Sequence, residues 1–236
     1  MASQPIRLLI AALALALAWI PMASAESPGK EGADVSAAPP LYQLPKVGKP
    51  TGRVGGGRRG GASALPDVYA LVPDHVGFSA SSQPVLYWYM SDKAKGEVLF
   101  ELTLIDEKSV DPLVDRRFTA PPKPGLQRVD LTTLGVRLEP GEEYQWSISL
   151  VPDPKDRSKD LVATGWIEVV SPPDGMADRL AAAGPGGAAA VYGEAGLWYD
   201  TLDATLSQAD RGDTQAQGQL ALLLKQVGLP EEAASH

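Results

Sequence analysis

One stretch constrains the fold more than any other: Leu138-Glu139-Pro140-Gly141-Glu142-Glu143-Tyr144-Gln145-Trp146-Ser147-Ile148-Ser149-Leu150. Pro140 presets its own backbone torsion and has no N–H to donate. Gly141 tolerates the positive φ that the next turn position needs, so the chain reverses here. Beyond the turn, Tyr144, Trp146, Ile148 and Leu150 alternate with Gln145, Ser147 and Ser149. A two-residue period with one apolar and one polar wall describes a half-buried antiparallel strand, and its apolar wall needs a facing sheet.

The rest of the central region supplies that sheet. Tyr69–Val72, Val85–Met90, Val98–Ile105, Leu113–Phe118, Leu126–Leu131 and Leu161–Val170 are β-branched or aromatic runs bounded by turn residues. With the Tyr144 strand they make about seven strands between residues 63 and 171, with no helical period between them. That spacing predicts a two-sheet β-sandwich rather than alternating strands and helices. The Leu-x-Pro-Gly-x-x-Tyr run resembles the tyrosine corner of immunoglobulin-like and fibronectin type III sandwiches, which makes Tyr144 structural. Trp88, sharing a face with Leu86 and Met90, is the expected core tryptophan. Gly165 within the last strand predicts a bulge or the close approach of another backbone. Trp166 beside it reads as core, the alternative being a sugar-stacking platform on an open sheet face.

Upstream, Arg7 precedes an uncharged apolar run from Leu8 to Ile20, followed by Pro21 and Ala23-Ser24-Ala25. This is the pattern of a secretory signal peptide over residues 1–25, cut before Glu26. The run of 13 residues is short of the roughly 20 that span hydrocarbon, so no transmembrane span is expected. The chain has no cysteine, so an exported protein of this sequence is disulfide-free and depends on its hydrophobic core. Residues 26–62, rich in Pro and Gly and closing on Gly55-Gly56-Gly57-Arg58-Arg59-Gly60-Gly61, read as a disordered linker. The linker carries six basic against three acidic side chains, a net of +3, while residues 63–236 carry 14 against 26, a net of −12. A basic arm can hold an anionic partner, but a solvated linker explains it as well.

Pro172-Pro173-Asp174-Gly175 ends the strand pattern, and residues 172–236 switch to helical spacing. Met176–Ala183 is Ala-rich, Gly184-Pro185-Gly186-Gly187 interrupts it, and Leu197, Trp198, Thr201, Leu202 and Thr205 form an apolar stripe. Asp213 is a plausible N-cap for a last helix bearing Ala216, Leu220, Leu223, Leu224 and Val227. The spacing is similar to tetratricopeptide hairpins, of which too few are present for an independent solenoid. The helices are therefore expected to dock on the sandwich through Trp198 and Tyr199.

In order along the chain, several motifs resemble the bacterial family called domain of unknown function 928. They are the leader, Gly55-Gly56-Gly57-Arg58, Pro84-Val85-Leu86-Tyr87-Trp88-Tyr89, Leu138 with Gly141, Tyr144 and Trp146, Gly165-Trp166-Ile167, and Gly196-Leu197-Trp198-Tyr199-Asp200-Thr201-Leu202. The likeness runs from Gly55 to Leu229, its most specific part surrounds Trp198, and Arg58 stands where that family's motif has Thr. The resemblance implies an exported protein with no assigned reaction and supplies no catalytic residues.

Reactive side chains are sparse. His75 and His236 are the two imidazoles, no Gly-x-Ser-x-Gly elbow presents a serine, and two distant histidines do not make a zinc site. The loop Asp153–Asp160 lacks the Asp-x-Asp-x-Asp-Gly order of a calcium loop and reads as a solvated hairpin tip. A pI near 4.8 argues against nucleic-acid binding by the folded body. No catalytic residue, cofactor or metal is expected. The residues expected to carry structure or binding are Trp88, Tyr144, Trp146, Trp166, Trp198, Tyr199 and Asp200. The function expected is an exported, non-catalytic protein-interaction or structural module of the cell envelope, periplasmic or extracellular. The alternative is a carbohydrate-binding module built on exposed sheet-face aromatics. The two differ in where Tyr87, Tyr89 and Trp166 point.

Overall fold

The computed structural model describes residues 41–45, 65–106, 108–109 and 111–234. The expected leader and most of the expected linker lie outside the described residues. Eight strands occur among the latter: β1 Val68–Ala70, β2 Gly77–Ser79, β3 Val85–Met90, β4 Leu99–Asp106, β5 Val114–Arg117, β6 Gly125–Asp130, β7 Glu143–Val151 and β8 Leu161–Val169. One sheet has the order β1-β3-β6 and the other β2-β8-β7-β4-β5. Every pairing is antiparallel except that of β2 with β8. The chain thus crosses between sheets after β1 and adds β2 as a parallel edge. This is an immunoglobulin/fibronectin-III-like β-sandwich, mostly β, followed by helices α2 Met176–Glu194, α3 Trp198–Ala209 and α4 Thr214–Gln226. A single helical turn, α1 Leu131–Leu134, follows β6 where the sequence suggested that the strand continued to Leu131. There the Asp130 carboxylate accepts the Thr132 N–H at 2.7 Å and caps the turn.

The turn before β7 folds as its residues dictate. Gly141 has φ 79°, and the Glu139 N–H donates to the Tyr144 hydroxyl at 3.0 Å, the bond of a tyrosine corner. Tyr144, Trp146, Ile148 and Leu150 are all buried, with Leu104, Leu102 and Phe100 of β4 opposite the last three. From the facing sheet, Leu86, Trp88 and Met90 enter the same core. Trp88 meets Phe118 edge-on at 6.3 Å, and its indole N–H has no hydrogen-bond partner among the described residues.

The helices share that core. Trp198, Tyr199, Leu202, Leu206, Leu220, Leu223 and Leu224 belong to one hydrophobic cluster with residues of both sheets. The expected interruption at Gly184–Gly187 narrows to one residue. Gly184 adopts φ 63°, ψ −176°, a conformation open essentially to glycine, and Pro185 restarts the helix at the position that proline favours. Asp213 caps α4 by accepting the N–H groups of Gln215 and Ala216.

The linker reading needs a correction. Within residues 26–62, the segment Leu41–Pro45 is packed against the folded body, and Tyr42 is fully buried. Proline and glycine content suggested disorder, yet one aromatic side chain that finds a pocket outweighs the ordering cost of a short segment.

Candidate functional site

The helices meet the sandwich along an aromatic seam built by the start of α3. The Trp198 indole donates to the Leu71 carbonyl at 2.8 Å, on the crossing between β1 and β2. The Tyr199 hydroxyl accepts the Trp146 indole N–H at 2.9 Å and donates to the Trp166 carbonyl at 2.9 Å. Asp200 accepts the Ala80 N–H at 3.0 Å. One turn on, the Tyr87 hydroxyl donates to Asp203 at 2.7 Å. Burial pushes the Tyr199 phenol upward. Burial, then the bond to Asp203, does the same for Tyr87, so both stay protonated donors. The seam brings Trp146, Trp198, Tyr199 and Asp200 together, whereas Trp88 and Tyr144 sit elsewhere in the sandwich. All of these are used internally.

Burial also pushes the Asp200 carboxyl upward, only partly opposed by hydrogen bonds from Ala80 and Ser79, with Asp203 adding to the rise. Its folded pKa exceeds the unfolded value of about 3.9. The stability it contributes is therefore complete below about pH 3.9 and is lost as pH rises through the folded value. Asp200→Asn keeps an acceptor for Ala80 without the buried charge. The variant is expected to be more stable than the parent at pH 7, with the gap closing toward pH 3. Urea unfolding at both pH values checks this, and a variant weaker at both would contradict it.

A second feature was not legible in the sequence. Tyr42 inserts between Trp198, which it meets edge-on at 5.1 Å, and His75, on which it stacks at 6.0 Å. Its hydroxyl pairs with His75 Nε2 at 2.9 Å. Its backbone N–H donates to Gln226 Oε1 at 3.2 Å, and the Gln226 amide donates back to its carbonyl. Next along the segment, the Gln43 N–H donates to the Gly193 carbonyl at 2.9 Å. The isolated Leu-Tyr pair between Pro40 and Pro45 was the available signal.

The third feature is the outer face of the five-stranded sheet. Helix α3 reaches β2 and β3, and the final 3-10 helix Glu231–Ala234 reaches β6. Trp166, read from the sequence as core, instead turns outward and is half-buried, because Gly165 takes the inward position of β8. The Gly165 signal was sound, but what approaches is a side chain, the Trp146 indole. Across the outer face, Trp166 lies opposite Gln145, which lies opposite Ile105. Near the β5 edge, Glu101 pairs with Arg117 at 3.1 Å and Arg157 at 2.8 Å. Burial raises the Glu101 carboxyl, but the two guanidinium bonds outweigh it and hold it below its ordinary value. These three residues with Thr103, Pro112 and Asp115 line an open depression of about 570 Å³. Among the described residues, strand β5 is hydrogen-bonded on one side only.

Among the described residues no group of three or more His, Cys, Asp or Glu is arranged to hold a metal ion, and no helix is long and apolar enough to cross a membrane. The Asp153–Asp160 tip is occupied by its own ion pairs, Lys159 with Asp156 at 3.0 Å and Asp153 at 3.5 Å.

Fold and seam together define an immunoglobulin/fibronectin-III-like sandwich with a helical region sealed onto one side. The chain belongs to the family Domain of Unknown Function (DUF928), whose model matches residues 54–236. Among solved structures it is similar to the fn3 domain of human collagen alpha-1(XX) chain, at 15% identity over 50% of this chain and 93% of that one, with a TM-score of 0.27. No curated protein matches the chain.

Proposed function

We propose that this chain is a non-catalytic protein-interaction module of the bacterial cell envelope, exported through residues 1–25 and working in the periplasm or outside the cell. The observation that carries this reading is the outer face of β8, β7 and β4, over which no helix packs among the described residues, and which ends at the one-sided edge of β5. That face combines a half-buried tryptophan, polar side chains and an Arg-Glu-Arg network, and a free edge can accept an added strand. A catalytic role has no supporting constellation among the described residues: His75 bonds Tyr42 and Asp74, and no serine is paired with it.

The carbohydrate reading draws less support. Tyr87 and Tyr89 lie on β3 of the other sheet, and Tyr87 is buried beneath α3. Trp166 therefore has neither tyrosine beside it to form a stacking platform with.

The experiment is a pull-down from envelope extract with the mature chain, comparing the parent with Trp166→Ser/Arg117→Glu. A protein retained by the parent and lost from the variant is expected. Retention of polysaccharide alone, or of the same proteins by both chains, would remove the reading.

A further inference from the structure

We infer that the groove between the α2–α3 corner, α4 and the His75 loop is a recognition site for an extended, tyrosine-centred peptide, held in the resting chain by the chain's own Leu41–Pro45. It lies apart from the outer sheet face, so either idea can fail without the other.

The segment is bound as a peptide ligand is bound. Its backbone is read by both the N–H and carbonyl of Tyr42, which pair with the two ends of one side-chain amide, that of Gln226. The neighbouring Gln43 N–H is read by the Gly193 carbonyl. Main-chain pairing of this kind is independent of ligand sequence, while a side-chain pocket supplies selectivity. The pocket is the slot between Trp198 and His75, with His75 Nε2 meeting the phenol oxygen at 2.9 Å. A phenylalanine in the slot would leave that nitrogen without its partner, so the site selects tyrosine.

Two glycines keep the floor low enough for a backbone to lie on it. A Cβ on Gly193 would stand 2.0 Å from the Leu41 carbonyl oxygen, and one on Gly196 would stand 3.1 Å from that of Gln43. Gly193 is helical and needs no unusual torsion, so its lack of a side chain is explained by the segment it admits.

The resident segment does not fill the site. Beside Leu41, a cavity of about 50 Å³ remains, lined also by Ala189, Ala190, Thr205, Gln219 and Leu223. A peptide with a larger apolar residue before its tyrosine fits better than the chain's own leucine. Leu44 within the segment is 66% exposed, so the anchoring rests on Leu41, Tyr42 and the Gln43 backbone. A tethered occupant of this kind competes at an effective concentration of order mM, which an external peptide can match.

The test uses the full chain and a labelled peptide with the sequence of residues 39–46, acetylated and amidated, followed by fluorescence anisotropy. Tyr42→Ala empties the slot and is expected to bind the peptide at least about tenfold more tightly than the parent, where the tethered segment competes. Replacing the leucine of the peptide with phenylalanine is expected to tighten binding several-fold. Adding Gly193→Ala to the Tyr42→Ala chain is expected to abolish it. Should Tyr42→Ala not fold, hydrogen exchange on the parent decides: saturating peptide should accelerate exchange at Gln43. No binding to the emptied chain, equal binding to both chains, indifference to Gly193→Ala, or exchange at Gln43 unchanged by peptide would each overturn the inference.

Discussion

Trp198→Ala is expected to lower the unfolding free energy by about 3–5 kcal/mol, the range for removing a large aromatic from a packed core. The ring is fully buried within the cluster that both sheets and the helices share, so its loss opens a cavity at their junction. Two partners are stranded as well. The Leu71 carbonyl loses its indole donor at 2.8 Å, and Tyr42 loses the ring that it meets edge-on. Trp198→Phe separates these contributions, since it keeps most of the packing and loses the N–H. Its cost should fall to about 1–3 kcal/mol, the penalty of an unsatisfied buried carbonyl plus a small void. The same packing predicts that α2–α4 do not melt by themselves. Urea unfolding followed by far-ultraviolet circular dichroism and by tryptophan fluorescence should give coincident transitions in the parent. Separate transitions, or a Trp198→Ala loss under about 1 kcal/mol, would show that the seam is decorative.

What could be read in advance depended on how local the signal was. The Tyr144 strand was legible because a turn, an alternation and the Tyr-to-backbone bond all fall within thirteen residues. The α3 stripe and the Asp213 cap were legible for the same reason: helical spacing and capping need no distant partner. Strand β2 was not, since three residues pairing in parallel with a strand some ninety positions away leave no pattern of their own. Trp166 was misread because alternation along β8 fixes which residues share a face but not which face looks inward. That choice is made by Trp146 of the neighbouring strand, which requires an inward residue without a side chain. Among the site residues, Trp198, Tyr199 and Asp200 stood out as a motif, and all three turned out to hold the helices on. Tyr42, Gln226 and His75 come from three distant segments, and nothing in any one of them announces the others. Their convergence is a tertiary fact, visible only once α2, α3 and α4 are in place.

Gly165→Ala tests that reading of β8 with the smallest possible change. A Cβ at this position would stand 2.7 Å from Val72 Cγ1 and 2.9 Å from Trp146 Nε1, and neither neighbour is the free end of a flexible chain. The Trp146 indole is fully buried and tied to the Tyr199 hydroxyl at 2.9 Å, which in turn holds the Trp166 carbonyl at 2.9 Å. Moving the indole strains that relay, and leaving it in place forces β8 outward. Overpacking of this kind costs about 1–3 kcal/mol, and the relay puts this site at the upper end. The intrinsic preference works the other way, because alanine loses less backbone entropy than glycine within a strand. A destabilised variant therefore reports the clash and nothing else. Val72→Ala removes the nearer of the two obstructing atoms, so the double variant should lose less than the two single losses added together. The coupling should amount to roughly 0.5–3 kcal/mol, as for residues in direct contact. Denaturant unfolding of the four chains measures it. A Gly165→Ala chain as stable as the parent, or strictly additive losses, would mean that the inward face of β8 has room to spare and that the outward turn of Trp166 needs another cause.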